Sequence, residues 1–290
     1  MLITPTRRNF LQVTATGLAA LAFHKSSLAA DTEHPIGVQL YTVRDQAEKD
    51  LPAVLKQIQA IGYKEVELYW NVYNRPASEL KRMIADNGLT APSGHLNYEG
   101  LPSKLDYAKE LGFQWVVCPM LPKSMWNSLD SFKQAADQFN KWGEQVNSLG
   151  MKLAFHNHNY EFKKFGNTTG YDTLVANTDP KLVSFEMDCY WVTQAGRDPV
   201  QMMEKLGNRV RMLHLKDRKP GFPTSQQLND AASHFTEVGN GSIPWEKVLQ
   251  TAKKVGVEHY YVEQDKCDKP PIESLAISYK YLKPLFAKTF

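Results

Sequence analysis

Four side chains able to bind a metal ion each close a short, largely apolar run in the second half of the chain. They are His156 after Lys152-Leu153-Ala154-Phe155, Asp188 at the end of Leu182-Val183-Ser184-Phe185-Glu186-Met187, His214 after Val210-Arg211-Met212-Leu213, and Glu263 after Tyr260-Tyr261-Val262. Two imidazoles and two carboxylates suit a divalent ion such as Mn, Zn, Co or Mg. The runs recur at intervals of roughly 25–50 residues with helical sequence between them, which is the spacing of strand ends that converge on one face of a (β/α)8 barrel.

The neighbourhood of each ligand carries further chemistry. Phe155-His156-Asn157-His158-Asn159-Tyr160-Glu161-Phe162 is the densest segment. His156 and His158 share a side of an extended chain, so one can ligate while His158 carries a proton. Glu161 lies beyond the strand and could reach back as a base or as a fourth ligand, and Glu263 is a second candidate base. Asp188 could alternatively serve as a helix N-cap. His214 is followed by Lys216, Asp217 and Arg218, charges that a barrel interior would not carry unpaired. Lys216 and Arg218 are therefore expected at the substrate. Across the barrel, Gln39 and Tyr41, Glu67 and Tyr69, and His95 end the first three strands and form the expected substrate-facing wall. Trp70, Trp126 and Trp191 offer apolar faces of the kind sugars stack on.

The elements that must position these groups are legible along the chain. Strands are expected at 36–40, 65–69, 90–95, 115–119, 152–156, 182–188, 211–215 and 259–263. Amphipathic stretches separate them at 51–60, 78–87, 101–111, 129–149, 171–177, 199–206 and 244–255, with a last one at 272–286. Several helical stretches end on a glycine that heads for the next strand: Gly62, Gly88, Gly112, Gly150 and Gly256, the usual helix C-cap. Eight alternations predict a single-domain α/β fold, a closed (β/α)8 TIM barrel over 31–290. No Gly-x-Gly-x-x-Gly follows the first strand, so a dinucleotide fold has no support. The longest loop, 216–243, would lie over the catalytic face.

Residues 1–30 are a separate matter. Thr6-Arg7-Arg8-Asn9-Phe10-Leu11-Gln12, a weakly apolar stretch from Val13 to Phe23, and Ser27-Leu28-Ala29 have the order of a twin-arginine export signal with cleavage after Ala29. The apolar run is too short and too rich in small residues to span a membrane. The expected mature enzyme is periplasmic or secreted and free of the membrane. Its length of about 260 residues matches one barrel. Three cysteines allow at most one bridge, and Cys118 and Cys189 read as buried thiols. The net charge of +3, with no basic run or aromatic-basic interleaving, argues against a nucleic-acid partner.

Together these residues resemble the sugar phosphate isomerase/epimerase family, the xylose isomerase-like barrels related to endonuclease IV. The matching segments are Gly37-Val38-Gln39-Leu40-Tyr41-Thr42-Val43-Arg44, His156-Asn157-His158-Asn159-Tyr160-Glu161-Phe162, Asp188-Cys189-Tyr190-Trp191, His214-Leu215-Lys216-Asp217-Arg218 and Val238-Gly239-Asn240-Gly241-Ser242-Ile243-Pro244-Trp245. The resemblance runs from about residue 36 to 282. It implies a metal held by Glu, Asp, His and Glu at the ends of strands five to eight. Asp188, His214 and Glu263 carry over; the first position falls on His156, with Glu161 as the substitute. Trp191 stands where such proteins often have a further His, which argues against a multi-zinc DNA-repair site. The resemblance further implies proton abstraction next to the carbonyl of a small sugar, giving an enediolate, and hence epimerisation or isomerisation. The same enolate can expel a β substituent, which would make the enzyme a keto-glycoside lyase or hydratase. A sugar-binding barrel without catalysis is the alternative from another class. Dimers and tetramers are common among such barrels, so a homo-oligomer is an open expectation.

Overall fold

The computed structural model describes residues 34–231 and 234–290. The export signal expected over residues 1–30 lies outside the described residues. Eight strands alternate with helices in chain order: β1 Gly37–Gln39, β2 Glu65–Leu68, β3 Thr90–His95, β4 Trp115–Cys118, β5 Lys152–His156, β6 Val183–Asp188, β7 Val210–Leu215 and β8 His259–Val262. Each pairs in parallel with its neighbours, and β8 pairs back onto β1 to close the barrel. The chain is thus a single (β/α)8 barrel, as its periodicity predicts.

The helices are α1 Arg44–Ile61, α2 Ala77–Asp86, α3 Leu105–Leu111, α4 Leu129–Ser148, α5 Gly170–Asn177, α6 Cys189–Gln194, α7 Pro199–Leu206, α8 Trp245–Val255 and α9 Pro271–Thr289. The sequence periodicity misses α6. It is six residues long and almost wholly buried, so it shows no polar face from which to read a period. The five glycines expected at helix ends all adopt positive φ. Among the described residues no helix is long and apolar enough to cross a membrane, and all three cysteines are free, Cys118 and Cys189 being buried.

Alternation along the strands sorts the barrel interior into layers. Trp115, Val117, Ala154, Met212 and Tyr261 form one apolar cluster. Two residues further along the same strands come His156 after Ala154, His214 after Met212 and Glu263 after Tyr261. The apolar layer therefore places the polar one at the C-terminal mouth. Packing here leaves no slack at Gly37, which is in register with Tyr261. A Cβ on Gly37 would stand 2.5 Å from Cδ1 and 2.8 Å from Cε1 of that ring. Gly37→Ala is expected to cost about 1–3 kcal/mol through overpacking, read as a lower urea midpoint with an unchanged slope.

The long loop after β7 is organised, although residues 232–233 in it are not described. Asp217–Arg218 pairs antiparallel with Phe235–Thr236. The Asp217 carboxylate accepts from the backbone N–H of Gly239 (2.9 Å), Gly241 (3.2 Å) and Ile243 (3.3 Å), and from Trp245 Nε1 (2.7 Å). That one carboxylate accounts for the Gly-Asn-Gly-Ser-Ile-Pro-Trp motif: it folds the loop back onto the start of α8.

Candidate active site

Strand ends bring two groups of ligand-type atoms together, each with all atoms within 4.8 Å of one another. One is His156, Asp188, His214 and Glu263, the set expected from the sequence. The other is Glu67, His95, Glu186 and His214. His214 belongs to both. Its Nδ1 lies 2.8 Å from Glu263 Oε2 and 3.8 Å from Asp188 Oδ2. Its Nε2 lies 2.7 Å from Glu67 Oε2 and 3.2 Å from Glu186 Oε2.

The two groups differ in how well they are satisfied. In the inner group, His95 Nε2 sits 2.8 Å from Glu186 Oε2 and 3.2 Å from Glu67 Oε2. Gln39 Nε2 donates to Glu67 Oε2 at 2.8 Å, and Ser93 Oγ lies 2.7 Å from Glu67 Oε1 and 2.8 Å from Tyr261 Oη. This is a hydrogen-bonded ring, in which Glu186 Oε1 is left without a hydrogen bond. In the outer group His156 Nε2 is buried without a hydrogen bond, and Asp188 Oδ2, 3.5 Å from it, is met by the Lys216 ammonium at 3.0 Å. Buried polar atoms rarely stay unpaired without a purpose. The outer group, with a bare imidazole nitrogen beside a carboxylate oxygen held by an ammonium, has donors that fit a metal ion. The inner ring lies behind it and holds the orientation of His214 through Nε2.

Burial opposes charge on His214, but Glu186 and Glu263 hold its pKa well above the usual imidazole value, so without an ion it is the cation shared by both groups. Burial opposes charge at Glu67, but His95 and then His214 outweigh it and hold the carboxylate well below its usual range. Burial likewise opposes charge on His95, whose pKa Glu67 and Glu186 nevertheless push up to about 9. At the mouth, Lys216 Nζ stands 3.0 Å from Asp188 Oδ2, 2.6 Å from Glu263 Oε2 and 2.7 Å from Asp265 Oδ1. Against the effect of burial, Lys216 and neighbouring imidazoles keep Asp188 and Glu263 ionised. An ammonium held by these two carboxylates marks the point where they demand positive charge. Burial keeps His156 neutral, as a ligand must be, and lowers His158 further, with help from His156 and Lys216.

Asp188 carries both of the roles its position suggests. Its Oδ1 accepts from Trp191 N–H at 2.9 Å, capping α6, while Oδ2 faces His156 and Lys216. His158 follows the end of β5 with its ring 5.0 Å from that of His156. Glu161 is fully buried, and both its oxygens accept from the His158 backbone N–H, at 3.1 and 3.0 Å. It lies outside both groups of ligand-type atoms, whereas His156 lies in the outer one.

Gln39 and Glu67, expected on the substrate-facing wall, are fully buried and engaged with each other; His95 is 5 % exposed. These three lie behind His214, in the supporting ring. Tyr41 remains half-buried at the mouth, against Trp70 and under the Arg44 guanidinium. Lys216 joins the ligand group itself. Arg218 braces the long loop, its Nε on Gln194 Oε1 (2.7 Å) and its Nη2 on the carbonyls of Phe222 and Pro223 (2.8 Å each). Sequence reasoning missed Glu186 and Asp265. Glu186 had a signal, since it lies two residues before Asp188 and so on the same face of β6.

Glu161 gives a pH test. Burial pushes its carboxyl up to about 8, against the pull of the His158 N–H, whereas in an unfolded chain it titrates near 4.3. Between those values the folded state holds a proton that the unfolded state has released. This group therefore makes stability fall as pH rises from about 4.3 to 8. In metal-free protein, the melting temperature of Glu161→Gln is expected to gain on wild type between pH 5 and 8. Parallel curves would show that Glu161 is already ionised in the fold.

Residues 55–285 match the family described as xylose isomerase-like TIM barrel. The chain belongs to that family and is an enzyme of its superfamily. Among curated relatives, the inosose dehydratase of Clostridium beijerinckii is 23% identical over 270 residues, covering 81% of this chain and 90% of that protein. The inosose dehydratase of Clostridium botulinum is 28% identical over 169 residues, and the chain spans about half of its length. Among solved structures, a sugar phosphate isomerase/epimerase from Parabacteroides distasonis is 27% identical with a TM-score of 0.74, over 89% of this chain and 97% of that one.

Proposed function

We propose that this chain is a metal-dependent enzyme that removes the proton next to the carbonyl of an unphosphorylated keto-sugar. The observation that carries the reading is the outer group: four ligand atoms within 4.8 Å, among them an imidazole nitrogen buried without a hydrogen bond and a carboxylate oxygen held by an ammonium. A divalent ion held by His156, Asp188, His214 and Glu263 would supply Lewis acidity toward the sugar's carbonyl and adjacent hydroxyl. Glu263, ionised and at the rim of the group, is placed to take the proton. Lys216 offsets the charge that develops, and neutral His158 stands on the β5 side to exchange a proton. Lys216, Arg218 and Arg44 are all committed to internal partners, which supports an uncharged sugar over a sugar phosphate.

The enediolate so formed has two fates. Return of the proton gives epimerisation or isomerisation, in keeping with the similar structure from Parabacteroides distasonis. Loss of a β hydroxyl or alkoxy group gives elimination, favoured by the dehydratase names of the curated relatives. Incubation with keto-sugars in deuterated water tests the shared step: exchange at the carbon next to the carbonyl, abolished by a chelator and restored by Mn or Zn. A chromophoric enone would assign elimination, and a change of configuration would assign epimerisation. Full activity after complete metal removal would sink the proposal. With the expected signal at residues 1–30, the working compartment is the periplasm or beyond. Export of a reporter fused to these residues, blocked by changing Arg7 and Arg8 to Lys, checks that reading.

A further inference from the structure

A cavity of about 880 Å³ opens beside the ligand group, walled by the segments after β3, β4 and β5 and by the long loop after β7. Its volume falls within the ~300–1,000 Å³ typical of small-molecule sites, and the proposed chemistry makes no use of it. The four ligand residues do not line it, but two of its wall segments reach them. The Pro119 carbonyl lies 3.2 Å from His156 Nδ1, and the next residue, Met120, is already cavity wall. Tyr160, also in the wall, has its ring 6.1 Å from that of His158.

The cavity is built rather than incidental. Trp126 stacks on Tyr160 with ring centroids 3.8 Å apart and planes 13° apart. Both rings are pinned to one residue: Trp126 Nε1 donates to the Leu121 carbonyl and the Leu121 N–H donates to Tyr160 Oη, each at 2.9 Å. The opposite wall is tied across by Asn159 Nδ2, which donates to the carbonyls of Ser225 (2.9 Å) and Gln227 (3.1 Å). Around the aromatic pair the wall is polar, with Asn97, Asn127 and Gln227, and it carries the charged residues Glu99, Lys123 and Lys163. Amides offer donors and acceptors together, as sugar hydroxyls do, and an aromatic platform suits the C–H face of a pyranose ring.

We infer that this cavity is a subsite for a second sugar ring, so that the substrate is a glycoside. The reacting ring would lie over His156, Asp188, His214 and Glu263, and the ring linked to it beside Trp126. The inference rests on the proposed function only for where the reacting ring sits.

Calorimetric titration of the full chain with glucose, galactose, glucose 6-phosphate, cellobiose, lactose and maltose tests it without turnover. At least one disaccharide is expected to bind about ten-fold more tightly than its monosaccharide, a gap of about 1.4 kcal/mol. Trp126→Ala and Gln227→Ala should each cut the disaccharide affinity about ten-fold more than the monosaccharide affinity, and Trp126→Phe should restore most of it. Three results would overturn the inference: no disaccharide preferred over its monosaccharide; equal losses for both in Trp126→Ala, the mark of a structural role; or preference for a sugar phosphate that vanishes in Lys123→Ala. Inactivity on every keto-sugar would instead strike the proposed reaction and leave the subsite standing.

Discussion

Replacing Asp188 by asparagine is expected to release the divalent ion and to lower kcat/KM by at least about 10⁴-fold. Asparagine keeps an oxygen for the α6 cap and removes the anionic oxygen that faces His156 Nε2 and Lys216 Nζ. The magnitude follows from the several kcal/mol a metal contributes as Lewis acid, at about 1.4 kcal/mol for each factor of ten. Asp188→Ala should lose the ion as well and in addition about 1 kcal/mol of stability, because the cap goes with it. Metal analysis of purified protein, steady-state kinetics and thermal unfolding separate the two effects. An asparagine variant that keeps its metal and most of its activity would reduce Asp188 to a cap.

The second large effect is expected at a residue that touches neither the outer ligand group's bare imidazole nitrogen nor the cavity. Glu67→Ala removes the carboxylate on which Gln39, Ser93, His95 and His214 converge. It leaves His95 Nε2 and His214 Nε2 to share Glu186, while His214 Nδ1 keeps Glu263. Breaking one partner out of a buried charged network costs about 3–5 kcal/mol, which for a chain of this size lowers the melting temperature by roughly 6–20 °C. Losing the hydrogen bond that orients His214 should also weaken metal affinity about 10–100-fold. Glu67→Gln, which retains one acceptor oxygen, should fall between. Urea unfolding and metal titration check both parts. A stable Glu67→Ala variant with unchanged metal affinity would show that His214 is positioned by other means.

The barrel and the outer ligand group were legible in the chain because their determinants are local. A buried parallel strand announces itself as a short apolar run, its end by a polar residue, and the following helix by a 3.6-residue period with a terminal glycine. Alternation then puts His156, His214 and Glu263 two residues beyond Ala154, Met212 and Tyr261, which fill the barrel below them. Any closed arrangement of eight such units aims these side chains at one mouth. Even the second role of Asp188 is readable, since a carboxylate between a strand and a helix start suits a cap.

What the sequence alone did not determine depends on contacts across the barrel. Glu67 and His214 are separated by 147 residues and meet at 2.7 Å. No periodicity within β2 says that its glutamate will support a histidine on β7 rather than face the substrate. Glu186 and Asp265 were overlooked for the same reason: their partners, His95 and Lys216, lie on other strands. Lys216, read as a substrate contact, is drawn into the ligand group because Asp188, Glu263 and Asp265 converge on it from three segments. Partnership, too, is tertiary. Gln39 closes β1 and Glu263 follows β8, both buried, yet Gln39 is bound to Glu67 whereas Glu263 meets His214 and Lys216. Local pattern fixes which face a side chain takes; only closure of the barrel fixes its partner.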